Sequence, residues 1–258
     1  MTELTPQTEK GAAPADRIRM IEGFGRRYVR DFLAGETVGR EAFLGDSYEA
    51  LKFFFRRSFY RGQRDEVSDN FRQKAFEVLD EKVKGQDLDD VSGGVLEEQL
   101  WHNGVNNATD RRMVRQTIDF TQQLPERNIV RYAIEKIKSG QAGQAQGELT
   151  GIFGVGDKIA SFYLRDVALV FGLEEEIAEA ELKYFQPVDT WVLQVAAKLA
   201  IVTGDVNLTR PTHIEKAKEQ IIGACRTAGV STLLFNAGAW YAGAYSLELL
   251  LAATKAEF

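Results

Sequence analysis

Almost every stretch of this chain repeats its apolar residues every three to four positions. That period belongs to one face of an α-helix, and no segment shows the alternation of a half-buried strand. Over 65–84, Phe71, Ala75, Phe76, Leu79 and Val83 fall on one stripe. Over 47–60, Leu51, Phe53, Phe54 and Phe55 are too apolar for anything but deep burial. Only five prolines occur in 258 residues, and the chain is rich in good helix formers. The spacing predicts helices over 16–32, 47–60, 65–84, 94–102, 109–124, 126–138, 157–171, 189–202, 211–228 and 231–253. The stretch 140–147 reads as a Gly/Gln/Ala-rich loop with a short helical turn, and 172–186 as an acidic connection with a short helix of its own at 175–184. The fold class is all-α, with enough chain for two helical lobes.

Cysteine and histidine usage narrows the chemistry. The single cysteine, Cys225, excludes an intramolecular disulfide, a cysteine-ligated iron–sulfur cluster and a Cys-rich zinc site. It sits in the apolar pattern Ile221, Ile222, Ala224, Cys225, which makes it a core thiol. His102 and His213 are far apart, so no metal-ligand spacing exists. Residues 1–15 are polar, carry Pro6 and Pro14, and read as a disordered tail with no signal-peptide core. No apolar run is long enough to span a membrane, so a cytoplasmic, monomeric protein is expected.

The net charge of −6 argues against nucleic acid only on average. From Arg17 to Arg64 there are eleven Lys/Arg against six Asp/Glu, a local net of +5, which leaves about −11 for the rest. Local sign decides phosphate contact.

Two short segments carry the chemistry. Ile152-Phe153-Gly154-Val155-Gly156-Asp157 reads as a tight turn between helices, followed at once by Lys158. Glycines there let backbone N–H groups approach a phosphate with no Cβ in the way, and the start of the next helix adds free N–H groups and a positive dipole end. Helix–turn–helix packing alone also accounts for such glycines. Lys158 sharpens the reading, because a cation in the first turn opposes the helix dipole, although its amine can also simply extend into solvent. A lysine amine is also a nucleophile able to form a Schiff base. The second segment is Gln186-Pro187-Val188-Asp189-Thr190-Trp191, where Asp189 is a natural N-cap. A capping carboxylate is held in place, and can stabilise a cationic sugar or manage protons.

The string Phe153-Gly154-Val155-Gly156-Asp157-Lys158-Ile159-Ala160, followed by Pro187-Val188-Asp189-Thr190-Trp191-Val192, resembles the helix–hairpin–helix DNA glycosylase superfamily. That superfamily includes endonuclease III and the 8-oxoguanine DNA glycosylases. Its pattern is Leu-Pro-Gly-Val-Gly-x-Lys-x-Ala, then Val-Asp-Thr/Val-His. Phe153 stands where the family has proline, and Trp191 where it has histidine. The spacing of 31 residues from Lys158 to Asp189 exceeds that of most members. It is similar to the archaeal 8-oxoguanine glycosylases known as AGOG.

The resemblance implies two helical lobes around a cleft: a six-helix barrel over 45–160 ending in the hairpin, and a second lobe from 16–44 with 165–258. It implies Lys158 as the Schiff-base nucleophile and Asp189 as the essential carboxylate. Gly154, Val155 and Gly156 would anchor a phosphate of double-stranded DNA, with no iron–sulfur cluster and room for a monovalent cation at the hairpin. The loop Arg61-Gly62-Gln63-Arg64 resembles the family's wedge loop. Gln63 would fill the gap left by a flipped base, while Arg61 and Arg64 reach phosphates. Phe162, Phe235, Asn236 and Trp240 are candidates for the base pocket. The expected activity is that of a bifunctional glycosylase/AP lyase, with 8-oxoguanine as leading substrate. A catalytically silent DNA-binding protein and a monofunctional glycosylase are the alternatives.

Overall fold

A computed structural model of the chain describes residues 15–60, 65–204 and 206–255. The proposed tail lies almost wholly outside the described residues, and the wedge loop with Arg61, Gln63 and Arg64 lies entirely outside them. All regular structure among the described residues is helical. In chain order, α1 (Ala15–Tyr28) runs into a π-helical turn (Val29–Leu33), then α2 (Ala34–Val38) and α3 (Arg40–Gly45). These are followed by α4 (Ser47–Ser58), α5 (Asp65–Lys82), α6 (Gly93–His102), α7 (Ala108–Gln122) and α8 (Ile129–Lys138). Next come α9 (Ala142–Thr150), α10 (Asp157–Phe171), α11 (Thr190–Lys198), α12 (Pro211–Ala228) and α13 (Thr232–Lys255). The chain forms two compact units, Phe32–Pro187 and Met1–Asp31 with Val188–Phe258. No described helix is long and apolar enough to cross a membrane.

In the unit Phe32–Pro187, the run Phe53-Phe54-Phe55 is fully buried, as its sequence demands. Tyr163 of α10 meets Phe54 edge-on at 5.0 Å and Phe53 at 5.9 Å between ring centroids. Its hydroxyl donates to the Ile129 carbonyl at 2.9 Å. Burial, the dominant cause, pushes that phenol well above the ordinary tyrosine range. A buried ionic cluster ties α10 to α4. Arg57 donates to Asp166 at 3.0 Å and to Glu36 at 2.9 Å, and Arg165 donates to Asp166 at 2.9 Å. Arg57 and Asp166 are 3% and 0% exposed, so each charge depends on its partners.

That cluster corrects two expectations. The first helix was expected to end near residue 32, yet the helical path continues through α2, because Glu36 is anchored by both Arg56 and Arg57. The lobe boundaries also differ. Segments 32–44 and 165–187 belong with the hairpin unit, since Glu36 and Asp166 bind α4 and the connection binds α9. The expected loop over 140–147 is mostly helix α9. Its N-terminus is capped from the connection, where the Glu181 carboxylate accepts from Ala142 N–H at 2.8 Å and Gly143 N–H at 3.4 Å. A Cβ on Gly143 would sit 2.6 Å from the Tyr184 ring, so glycine there is a packing choice rather than a helix stop.

The other unit is built on a very close crossing of α1 and α13. A Cβ on Gly25 would lie 1.9 Å from the Leu234 carbonyl oxygen, and one on Gly238 would lie 1.9 Å from that of Ile21. Glycine at both contacts lets the two backbones touch. Around the crossing, Ile18, Ile21, Val192, Val195, Ile221, Phe235 and Cys225 form a continuous core. The cysteine is buried and takes part in no disulfide, as its apolar surroundings in sequence require.

Candidate functional site

The hairpin is the segment 151–156 between α9 and α10, and its geometry follows from its residues. Three successive turn bonds close it: Gly151 N–H to Glu148, Ile152 N–H to Leu149, and Val155 N–H to Ile152, at 3.1, 3.1 and 2.9 Å. Gly154 takes φ +84°, in the left-handed region where a Cβ costs energy. Ile152 and Val155 are each 3% exposed and plug the turn into the core. Val155 therefore contributes structure: its side chain is buried, and its N–H is engaged within the turn.

Gly156 is different. It is the N-cap of α10 with φ −96° and ψ 177°, a conformation open to any residue. A Cβ there would meet nothing within 4 Å. It gives the first turn no side-chain acceptor, so no N-cap side chain covers the N–H groups at the start of α10. Lys158 lies in that turn with its side chain exposed. Sequence and structure agree on the local motif: Gly154, Val155, Gly156 and Lys158 are one continuous feature of a single unit.

Two residues that the sequence reading missed complete the hairpin, both on α7. Gln116 accepts the Phe153 N–H through Oε1 at 2.7 Å. The Arg112 guanidinium lies 4.1 Å from the centroid of the Phe153 ring. Together with residues 150–156 they line a depression of about 470 Å³. The available signal was Phe153 itself. Proline has no N–H, but phenylalanine at that position has one, and the donor needs an acceptor.

Asp189 belongs to the other unit. It caps α11, accepting the Val192 N–H at 2.9 Å, with extended backbone and a half-buried side chain. Trp191 is 39% exposed and rests on α13, where a Cβ on Gly243 would come within 2.7 Å of it. Just before this segment, Gln186 is fully buried, and neither atom of its side-chain amide has a hydrogen-bond partner among the described residues.

Of the four pocket candidates, two are exposed in part and two are fully buried. Phe235 and Asn236 are each 0% exposed, with Phe235 in the unit's core. Trp240 is half-buried, in edge contact with Tyr28 and Tyr245 at 5.8 and 6.0 Å. Phe162 is half-buried on α10, with the Arg165 guanidinium 4.9 Å from its ring centroid. Burial rules out Phe235 and Asn236 as open base contacts in this conformation. Among the described residues, no group of His, Cys, Asp and Glu is arranged to hold a metal ion.

Comparison with protein-family models, with curated proteins and with solved structures returned no match. The functional reading therefore stands on the motif residues and their local geometry.

Proposed function

We propose that this chain is a DNA repair enzyme with the two-lobed helix–hairpin–helix glycosylase fold. It removes a damaged base from duplex DNA, with 8-oxoguanine the leading substrate. The observation that carries the proposal is an exposed lysine in the first turn of a helix whose N-cap is an unobstructed glycine, directly after a left-handed glycine turn. The amides beside Gly156 suit a backbone phosphate, and the amine stands in the same turn.

In this reading the enzyme extrudes the base, since an atom inside a stacked duplex is out of reach. The Lys158 amine attacks sugar C1′, the N-glycosidic bond breaks, and the base leaves with a proton. Loss of a proton from the new ammonium and opening of the sugar give an imine. Removal of a C2′ proton then expels the 3′ phosphate and nicks the strand. Asp189 is assigned the carboxylate role: it stabilises positive charge on the sugar and relays protons.

The test uses duplex oligonucleotides carrying one 8-oxoguanine, one oxidised pyrimidine or one abasic site. Base release is read by chromatography and nicking by gel. Wild-type protein is expected to do both. Lys158→Ala is expected to lose both, and Asp189→Asn to slow base release by about 10²-fold or more. Tight binding without release on any substrate would identify a silent binding protein instead. Release without nicking would identify a monofunctional glycosylase.

A further inference from the structure

Arg112 is exposed on α7, and its guanidinium makes no hydrogen bond or ion pair among the described residues. Its neighbours on the same helix are engaged. Arg115 pairs with Glu97 at 3.1 Å and Asp119 at 3.6 Å. Arg111 donates to the Val105 carbonyl at 2.8 Å and covers the Trp101 ring at 4.6 Å. Arg112 instead stacks on Phe153, which is 41% exposed at the rim of the hairpin depression. The Phe153 backbone is in turn fixed to Gln116 on the same helix.

Stacking and hydrogen bonding use different parts of a guanidinium. The ring covers a face and restricts the side chain, while the N–H groups point outward in the guanidinium plane. A planar fork of donors held at the rim of this open depression suits a phosphodiester, which it can grip through two oxygens. Lysine on a flexible stem would supply charge without that geometry.

We infer that Arg112, positioned by Phe153, grips a DNA backbone phosphate next to the one met by the hairpin amides. This rests on the reading that the hairpin faces DNA. It also gives a role to one of the residues by which this chain departs from the superfamily pattern: phenylalanine in place of proline supplies both the platform for the arginine and the N–H that ties the turn to α7.

The experiment is fluorescence-anisotropy titration of the full chain against a duplex with a tetrahydrofuran abasic analogue, at several salt concentrations. Each phosphate contact contributes roughly −0.9 to the slope of log affinity against log salt. Arg112→Ala is expected to bind about tenfold more weakly at low salt and to lose about 0.9 from that slope. Phe153→Ala keeps the charge and loses the platform, so affinity falls several-fold while most of the slope remains. Arg112→Lys behaves alike, and decides the matter if the alanine variant fails to fold. Arg115→Ala, whose charge is already paired, stays within twofold of wild type. If Arg112→Ala and Arg112→Lys bind like wild type while Gly156→Ala is weakened, the arginine contact is refuted and the hairpin reading survives. If wild-type protein binds no duplex, both fall together.

Discussion

Gly154 and Gly156 stand two residues apart, and the structure assigns them opposite reasons for being glycine. At Gly154, φ of +84° makes any Cβ strained, so Gly154→Ala is expected to lose about 1–2 kcal/mol of stability. Gly156 has ordinary extended geometry and open space where a Cβ would go. Two small effects oppose each other in Gly156→Ala. Reduced freedom of the unfolded chain stabilises by about 0.4–1 kcal/mol. Alanine is a poorer N-cap than glycine, which costs several tenths of a kcal/mol or more. The net is within about 0.5 kcal/mol of zero. If those amides hold a phosphate, the added methyl group crowds the bound anion, and Gly156→Ala is expected to weaken binding to an abasic-analogue duplex by tenfold or more. Urea denaturation gives the first quantity and anisotropy the second. Gly156→Ala with wild-type affinity would show that those amides do not meet a phosphate. Gly156→Ala destabilised as much as Gly154→Ala would refute the geometry of the turn.

Three further outcomes follow from the packing. Asp166→Ala leaves buried Arg57 and Arg165 without that carboxylate, and should cost about 3–5 kcal/mol in urea melts; a loss under 1 kcal/mol would mean that the cluster is not a tether. Gly238→Ala should destabilise by about 1–3 kcal/mol because its Cβ meets backbone of α1 at 1.9 Å. Gly223→Ala, with nothing within 4 Å in α12, should gain about 0.8–1 kcal/mol, and the same sign for both in thermal melts would contradict the crossing. Gln186→Leu replaces a buried amide with neither atom satisfied, so it should raise stability by about 1–3 kcal/mol; destabilisation would show that the amide has bonding partners in solution.

What could be read from sequence was what is local. The hairpin, the Asp189 cap and the buried aromatic run of α4 depend on residues within one or two turns, and each is found where its pattern puts it. α9 was misread because Gly143 lowers helix propensity, while what stabilises the helix arrives from Glu181 and Tyr184 almost forty residues later. The same contacts give the long Lys158-to-Asp189 connection a structural task, docking on the first helix of the hairpin. Phe235 and Asn236 were misplaced because α13 is apolar almost all round, so its sequence does not say which face is buried. Arg112 and Gln116 come from another helix, and only the unpaired N–H of Phe153 hinted at them.

The central claim is that Lys158 is the nucleophile. Incubation with a duplex carrying 8-oxoguanine or an abasic site in borohydride, followed by digestion and mass spectrometry, tests it directly. The account predicts a reduced covalent adduct on the peptide containing Lys158, absent in Lys158→Ala. No adduct despite duplex binding, or an adduct mapped to another residue, would contradict it.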